Sequence, residues 1–141
     1  MTESWQLGQT GEELAADYLM KQGYSILHHN WNLHHGCELD LVARKNGELH
    51  FIEVKTRRRE SEVFGSPEMA VDWRKMRHIQ SAISYYMSFY GIDKDTPIHM
   101  DAIGVVYRGE DDFDLRFLQD IHYFEFTRSS YNGRQGGWRY M

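Results

Sequence analysis

Asp40, Glu53 and Lys55 are the residues whose types and spacing could carry chemistry. Asp40 lies in one segment of alternating polar and apolar residues, and Glu53 and Lys55 lie two residues apart in the next such segment. Because the side chains of a strand alternate between its faces, Glu53 and Lys55 share a face. Asn46-Gly47 is a hairpin signal that makes the two segments antiparallel neighbours. The sequence therefore predicts that three carboxylates, including that of Glu38 two residues before Asp40, and an ammonium group meet on one face of a sheet.

Two carboxylates held close together call for an opposite charge. At a separation of about 4 Å and an effective dielectric near 20 they repel by roughly 4 kcal/mol, a large part of a domain stability of ~5–15 kcal/mol. A hard divalent cation with oxygen ligands offsets that repulsion. We expect Mg²⁺ or Mn²⁺ bound by Asp40, Glu53 and the main-chain carbonyl of Val54.

Such an ion would suit the hydrolysis of phosphodiester bonds, because it polarises the phosphoryl group and lowers the pKa of a bound water. Lys55, on the same face as Glu53, is then expected to position the attacking water or to stabilise charge that develops on the phosphate. Glu38 is expected to support the site by orienting Lys55 or an arginine, although a direct metal contact stays open.

A helix that precedes these strands is predicted to supply a fourth carboxylate. Thr10 and Glu13 have the spacing of a capping box, which predicts a helix beginning at Thr10, and Gly23 is typical of its end. On a helical wheel Glu12 borders the apolar stripe, whereas Glu13 faces away from it. Glu12 is therefore expected at the inner edge of the domain, where it could hold a water or a second ion.

The remaining periodicities predict the order α-β-β-β-α-β-β. Strands are expected at 24–31, 38–43, 48–55, 98–107 and 115–118, and a second helix from Pro67 to about Tyr90. A chain of 141 residues, 41% hydrophobic, is the size of a single domain. We place that domain at 1–126 and a flexible tail, rich in Ser, Gly, Asn and Arg, at 127–141.

The composition also excludes several classes of protein. There is no apolar run long enough to span a membrane and no secretory signal pattern, so a soluble, cytoplasmic protein is expected. Cys37 is the single cysteine, which excludes an intrachain disulfide and multi-cysteine zinc sites, and it is expected to be buried. The adjacent pairs His28-His29 and His34-His35 are not favoured as metal ligands, because neighbouring strand residues point to opposite faces.

The charge distribution leaves a nucleic-acid partner open. The net charge is −5, which by itself argues mildly against phosphate binding, but residues 91–125 carry −6 of it and the remainder is at +1. Arg57, Arg58 and Arg59 directly follow the predicted metal-binding strand, and we expect them, with Lys75, to contact nucleic acid. The alternative for the arginine run is an exposed, solvated turn. Asp101 is expected to cap or pair structurally.

The chain closely resembles the YraN-like (UPF0102) family of bacterial proteins over about residues 8–126. The resemblance rests on the following motifs: Gly8-x-x-Gly11-Glu12-x-x-Ala15, Gly23-Tyr24, Asn30-Trp31, Gly36-Cys-Glu-Leu-Asp40-Leu-Val, Phe51-Ile-Glu53-Val-Lys55-Thr-Arg57, Phe64-Gly65 and Pro97-Ile-His-Met-Asp101-Ala-Ile.

That family looks distantly related to archaeal Holliday junction resolvases of the PD-(D/E)XK nuclease superfamily. The resemblance implies an α/β fold with a restriction-endonuclease-like core, in α-β-β-β-α-β order, whose mixed central sheet is flanked by helices. Asp40, Glu53 and Lys55 would occupy its three signature positions, and Glu12 would be the acid that the resolvase branch carries on a helix. The implied function is a metal-dependent endonuclease that acts on DNA, with branched or recombination intermediates as the substrate class.

Two other functions stay open. The chain could be a catalytically silent nucleic-acid-binding or scaffold protein that retains the nuclease fold. It could also be a nuclease that acts on RNA, because none of the expected catalytic residues recognises the 2′-hydroxyl. Cutting a branched DNA would usually need two active sites and hence a homodimer, for which the apolar residues of the long helix are the one interface signal.

Overall fold

The computed structural model of the chain describes residues 3–34, 37–58, 73–109 and 112–121, with side chains from residue 10 in the first helix and from residue 77 in the second. The elements follow the predicted order α-β-β-β-α-β-β. They are α1 (Glu3–Lys21), β1 (Ser25–Asn32), β2 (Glu38–Lys45), β3 (Glu48–Arg58), α2 (Trp73–Phe89), β4 (Ile98–Gly109) and β5 (Asp112–Leu118). Pro67, Arg59 and the tail predicted at 127–141 lie outside the described residues.

The five strands form one mixed sheet in the order β1-β2-β3-β4-β5. Neighbouring strands are antiparallel except for β3 and β4, which are parallel. Parallel neighbours need a long crossover connection, and α2 lies in the connection between these two strands. The protein is thus a mixed α/β structure in which β3 occupies the centre of the sheet.

The hairpin between β2 and β3 has the predicted two-residue turn. Asn46 and Gly47 have φ angles of 54° and 79°, and positive φ at both central residues is the mark of the turn that matches the twist of a hairpin. The turn pairs Lys45 with Glu48 and carries the register onward to Leu41 and Ile52. This register decides which residues of the two strands stand opposite each other.

The two helices cover opposite faces of the sheet. Beneath α1, Ala15 and Leu19 pack with Leu41, Ile52 and Ile103. On the other face, α2 is packed through the buried residues Ile79, Ala82, Ile83 and Tyr86, which contact a cluster that includes Val42, Phe51 and Met100. Phe51 and Ile52 are neighbours in β3 and lie in different clusters, as alternation requires. Cys37 is buried in the cluster beneath α2, as predicted.

Three predicted bounds differ from the structure by three residues or more. One is the strand expected to begin at Leu115, which begins at Asp112 because β4 pairs with it from Gly109. The helix was expected to begin at Thr10, but α1 begins at Glu3 and Thr10 lies inside it. The residues before Thr10 continue the helix, so the Thr-x-x-Glu spacing is an interior i, i+3 pair rather than a cap. The strand expected to end at Lys55 continues to Arg58, because β4 pairs with it as far as Arg58 and Tyr107.

Candidate functional site

Strands β2 and β3 separate at the place where the charged residues were expected. Their pairing runs from Lys45 and Glu48 to Leu41 and Ile52. Beyond that point the main-chain amide of Val54 donates a hydrogen bond of 2.9 Å to Oδ2 of Asp40. The Asp40 side chain therefore takes the position that a main-chain carbonyl of β2 would hold in a continuous ladder.

The separation also changes the packing of β2. Simple alternation places Leu39 and Leu41 on the same face, yet Leu39 packs in the cluster beneath α2 and Leu41 in the cluster beneath α1. The predicted strict alternation of β2 is therefore wrong at its first residues, where β2 is paired with β1 alone, through Leu39 and Trp31.

Asp40 and Glu53 line one small cavity. Its volume is about 10 Å³, which is near the lower limit for holding a single water molecule. The rest of its wall is apolar, formed by Leu39, Phe51, Ile52, Ile79 and Met100. Both carboxylate-bearing residues are half-buried. The structure thus brings these two predicted ligands together at the boundary between the core and solvent.

Val54 turns its main-chain polar groups toward the same place. Its amide reaches Asp40, and in a strand the N–H and C=O of one residue point toward the same neighbouring strand. The Val54 carbonyl therefore points to the β2 side of β3 as well. An ionised carboxylate accepts more than one hydrogen bond, so Asp40 can hold the Val54 amide and still offer an oxygen to a cation.

Lys55 lies two residues after Glu53 in β3 and is half-buried. Alternation gives the two residues the same face. Their neighbours in β4 are small, because Glu53 pairs with Ala102 and Lys55 pairs with Gly104. Both of these β4 residues are buried.

Glu12 reaches the vicinity of the site from α1. The pKa of Glu12 lies above its ordinary value, and the largest cause is burial. A hydrogen bond with the side chain of Asn30 lowers this pKa, and so does His29, whereas the charge of Glu53 raises it. The influence of Glu53 shows that the two carboxylates are electrostatically close, although α1 covers the sheet face opposite to Phe51.

Gly11 is the reason that α1 approaches β3 so closely. A Cβ atom placed on Gly11 would lie 2.0 Å from Oγ1 of Thr56 and 3.1 Å from its Cβ. No side chain fits at that distance, so only glycine permits the contact. The contact therefore sets the distance of the next residue, Glu12, from the strand that carries Glu53.

The supporting and basic residues lie at different places. Glu38 is exposed at the start of β2 opposite Asn32, and it is not among the described residues that line the cavity. Arg57 donates a hydrogen bond of 3.0 Å from its Nη1 to the carbonyl of Thr56. The guanidinium of Arg58 lies 5.3 Å from the centre of the Tyr107 ring. Arg59 lies outside the described residues, and Lys75 lies in the first turn of α2, where only the main chain is described.

A second cluster of ionisable residues was not foreseen. Glu48, His50 and His99 come together at the beginnings of β3 and β4. Asp101 was expected to pair structurally, and its Oδ2 lies 2.9 Å from Nδ1 of His50. Alternation would have placed Glu48 and His50 on one face, but bringing His99 beside them needs the parallel register of β3 and β4, for which the sequence has no local signal.

These features define a mixed α/β protein that gathers carboxylates where a central hairpin opens. The chain belongs to the uncharacterised protein family UPF0102, whose model matches residues 11–105. Within the described residues, neither helix combines the length and apolar character that a membrane crossing needs.

Relatives in several bacteria match most of the chain. A UPF0102 protein of Parabacteroides distasonis is 39% identical over 117 residues, which are 83% of this chain and 92% of the relative. A UPF0102 protein of Syntrophomonas wolfei is 51% identical over 106 residues, 72% of this chain and 84% of the relative. A UPF0102 protein of Bacteroides thetaiotaomicron is 42% identical over 106 residues, 75% of this chain and 84% of the relative.

Proposed function

We propose that this protein is a metal-dependent endonuclease that hydrolyses phosphodiester bonds in DNA, with a restriction-endonuclease-like core of the PD-(D/E)XK superfamily. The observation that carries the proposal is the shared cavity of Asp40 and Glu53 at the point where β2 leaves β3. Carboxylates are costly to remove from water, so a cavity that only completes the core is usually lined by apolar residues. The placement of Asp40 and Glu53 favours a function that uses both.

The donor set fits Mg²⁺ or Mn²⁺. Carboxylate oxygens of Asp40 and Glu53 and the carbonyl of Val54 are hard oxygen ligands, which these ions prefer. When bound, the ion would supply Lewis-acid polarisation of the phosphoryl group and a water of lowered pKa. The hydrogen bond from the Val54 amide holds Asp40 in place before any ligand arrives, which favours a pre-organised site.

Other charged side chains are given the remaining roles in catalysis and DNA binding. Lys55 shares the face of Glu53 and is half-buried, so its ammonium can hold the attacking water or meet charge that develops on the phosphate. Glu12, whose pKa is raised by burial, can hold a proton or a water near the same place. Arg57 and Arg58 follow Lys55 along β3, and we assign them, with Arg59 and Lys75, to the phosphate backbone.

Branched DNA, including recombination intermediates, is the substrate class we propose, and it implies a homodimer with two active sites. The last turns of α2 and the residue after it favour a contact between copies, because Tyr85, Phe89 and Tyr90 are exposed at 48%, 60% and 43% of their surfaces. Analytical ultracentrifugation with and without junction DNA measures the oligomeric state directly.

The test is cleavage of labelled junction, flap, duplex and RNA substrates in Mg²⁺ or Mn²⁺. We expect cleavage by the unaltered protein and a loss of at least about 100-fold in Glu53→Ala and Lys55→Ala, a typical effect of removing one catalytic group. Asp17→Asn and Lys94→Ala, which alter exposed residues away from the site, are the matched controls and should keep full activity. Activity that persists in Glu53→Ala would contradict the assignment. Binding without cleavage in every metal would favour the silent binding protein.

A further inference from the structure

The cluster around His50 and His99 lies at the end of the sheet away from the proposed nuclease site. Glu48 and Glu53 are five residues apart in β3, about 17 Å at the rise of an extended strand. The even-numbered residues of this part of β3 point to the face covered by α1, as Ile52 does, whereas Glu53 shares the face of Phe51. The two sets of carboxylates therefore differ both in position along the strand and in face.

The parallel register places the two histidines side by side. His50 pairs with His99 across β3 and β4, and their rings stack with centres 4.4 Å apart and an angle of 12° between their planes. Glu48 lies on the same face of β3, two residues before His50. One potential ligand atom of each of these three residues lies within 4.8 Å of the other two.

Each histidine is oriented by a carboxylate on one ring nitrogen. Asp101 is 1% exposed and accepts at Oδ2 from Nδ1 of His50, at 2.9 Å. Its other oxygen accepts from the main-chain amide of Asp120 at 2.7 Å. A carboxylate on one nitrogen of a histidine fixes the tautomer and leaves the lone pair on the other nitrogen, which is the usual arrangement of histidines that bind metals.

His99 shows the same arrangement with a second carboxylate at hand. Its Nδ1 lies 2.7 Å from Oδ1 of Asp120, and its Nε2 lies 2.5 Å from Oε1 of Glu48. Burial lowers the pKa of His99, but hydrogen bonds with Asp120 and Glu48 raise it above the ordinary value. The hydrogen bond between Nε2 and Oε1 of Glu48 requires a proton on one of these two atoms.

We propose that Glu48, His50 and His99 form a binding site for a divalent transition-metal ion of the zinc type, separate from the site of Asp40 and Glu53. Two imidazoles and one carboxylate are a donor set that suits Zn²⁺. The hard-ion site has oxygen donors alone, so the two sites differ in the ions that they select. The Zn²⁺ ion takes the place of the proton that His99 Nε2 and Glu48 share in their hydrogen bond, and that proton is released to solvent.

Binding requires small side-chain movements. Zn–ligand bonds of about 2.0–2.2 Å place the ligand atoms of a tetrahedral site roughly 3.3 Å from one another. Glu48 and His99 therefore move apart, the wider separations of the cluster close, and the two rings leave their parallel stack. Glu48 has 41% of its side chain exposed and His99 26%, so both can move and the ion has a path from solvent.

Zinc titration of the full chain tests this site. Protein freed of metal with a chelator is titrated with ZnCl₂ against a chromophoric competitor, and we expect one saturable site with a Kd in the micromolar range or below. Glu48→Gln and His99→Gln should weaken binding at least tenfold. His78→Gln, which alters an exposed histidine of α2, is the control and should bind as the unaltered protein does. Asp40→Asn should also keep this site.

Two outcomes of the titration would overturn the proposal. One is the absence of saturable Zn²⁺ binding to the unaltered protein, which would mean that the cluster is a closed ion-pair network. The other is unchanged affinity in the folded Glu48→Gln variant. If His99→Gln fails to fold, anomalous diffraction at the zinc edge from crystals of the unaltered protein decides the matter. A peak among Glu48, His50 and His99 supports the site, and its absence contradicts it.

Discussion

Asp40 has two roles: it accepts a hydrogen bond from the main-chain amide of Val54, and it is a proposed ligand of the metal ion. The amide of Val54 would lose its acceptor if the side chain were removed, because β2 no longer offers a carbonyl there. An asparagine keeps an oxygen at the same position but carries no charge. The two roles can therefore be separated by choosing the substitution.

We predict that Asp40→Ala is less stable than Asp40→Asn. A half-buried amide without an acceptor costs about 1–3 kcal/mol, whereas both variants remove the same charge beside Glu53. Urea denaturation in the presence of a chelator measures the difference in the free energy of unfolding. Equal stabilities would show that water replaces the carboxylate at Val54 without cost, and that Asp40 has no structural part.

Glu12 makes the stability of the metal-free protein depend on pH. Its pKa is raised above 4.5, chiefly by burial, so the native state favours the protonated form. The stability that this group contributes is present below pH 4.5 and is lost as the pH rises through the higher value in the folded state. At neutral pH, therefore, the ionised Glu12 side chain destabilises the fold.

We predict that Glu12→Gln raises Tm at pH 7, by on the order of 1–3 °C since the residue stays partly solvated. The gain should shrink as the pH is lowered toward 4.5. Glu13→Gln, an exposed neighbour on the same helix, is the control and should change Tm little at any pH. A gain in Glu12→Gln that is independent of pH would contradict the electrostatic explanation.

At the scale of elements, the contact between α1 and β3 depends on one missing side chain. Gly11 lies against Thr56, where an added Cβ would be 2.0 Å from Oγ1. In an exposed helix the change from glycine to alanine would stabilise by about 1 kcal/mol. Here the opposite sign is expected, because the helix must move away from the strand.

We predict that Gly11→Ala destabilises the protein by roughly 1–3 kcal/mol, the usual cost of overpacking. Thr56→Ala removes the nearest atom, so the double variant should recover part of the loss. Thermal unfolding of both single variants and the double variant gives the coupling between them. Strictly additive effects would contradict the close approach of α1 to β3.

Local signals in the sequence predicted the elements well. Asn46-Gly47 predicted the hairpin, and alternation predicted that Phe51 and Ile52 pack on opposite faces, because turn chemistry and strand period act over a few residues. The helix start predicted at Thr10 was wrong, because a Thr and a Glu three residues apart occur inside helices as well as at their caps. The meeting of His50 and His99 could not be predicted, because it depends on a register between strands that are about fifty residues apart.

At the scale of the whole molecule, the distribution of charge decides whether an acidic protein can approach DNA. Residues 91–125 carry a net charge of −6, and the rest of the chain carries +1, which gives the total of −5. Part of that region neutralises itself, because Arg108 contacts Asp112 and Asp114 at 3.3 and 3.0 Å. Arg57 and Arg58 lie instead at the end of β3, four and five residues beyond Glu53.

We predict that Arg57→Ala and Arg58→Ala each weaken DNA binding and lower the dependence of log Kd on log salt by about one, as expected when one phosphate contact is lost. Fluorescence anisotropy with labelled junction DNA at several salt concentrations measures both quantities. Arg108→Ala, which removes an arginine already engaged with two aspartates, serves as the control with an unchanged slope. If all three variants behave alike, the β3 arginines are not the nucleic-acid contact.

Strand β3 carries both clusters on alternate residues, Glu48 and His50 on one face and Glu53 and Lys55 on the other. This arrangement makes the strand intolerant of changes in length. One residue inserted between His50 and Glu53 would invert the face of every residue that follows, placing Lys55 on the face that α1 covers and Val54 on the face that α2 covers. Insertions and deletions in this protein are therefore expected in its loops, while the distance in residues between the two clusters stays constant.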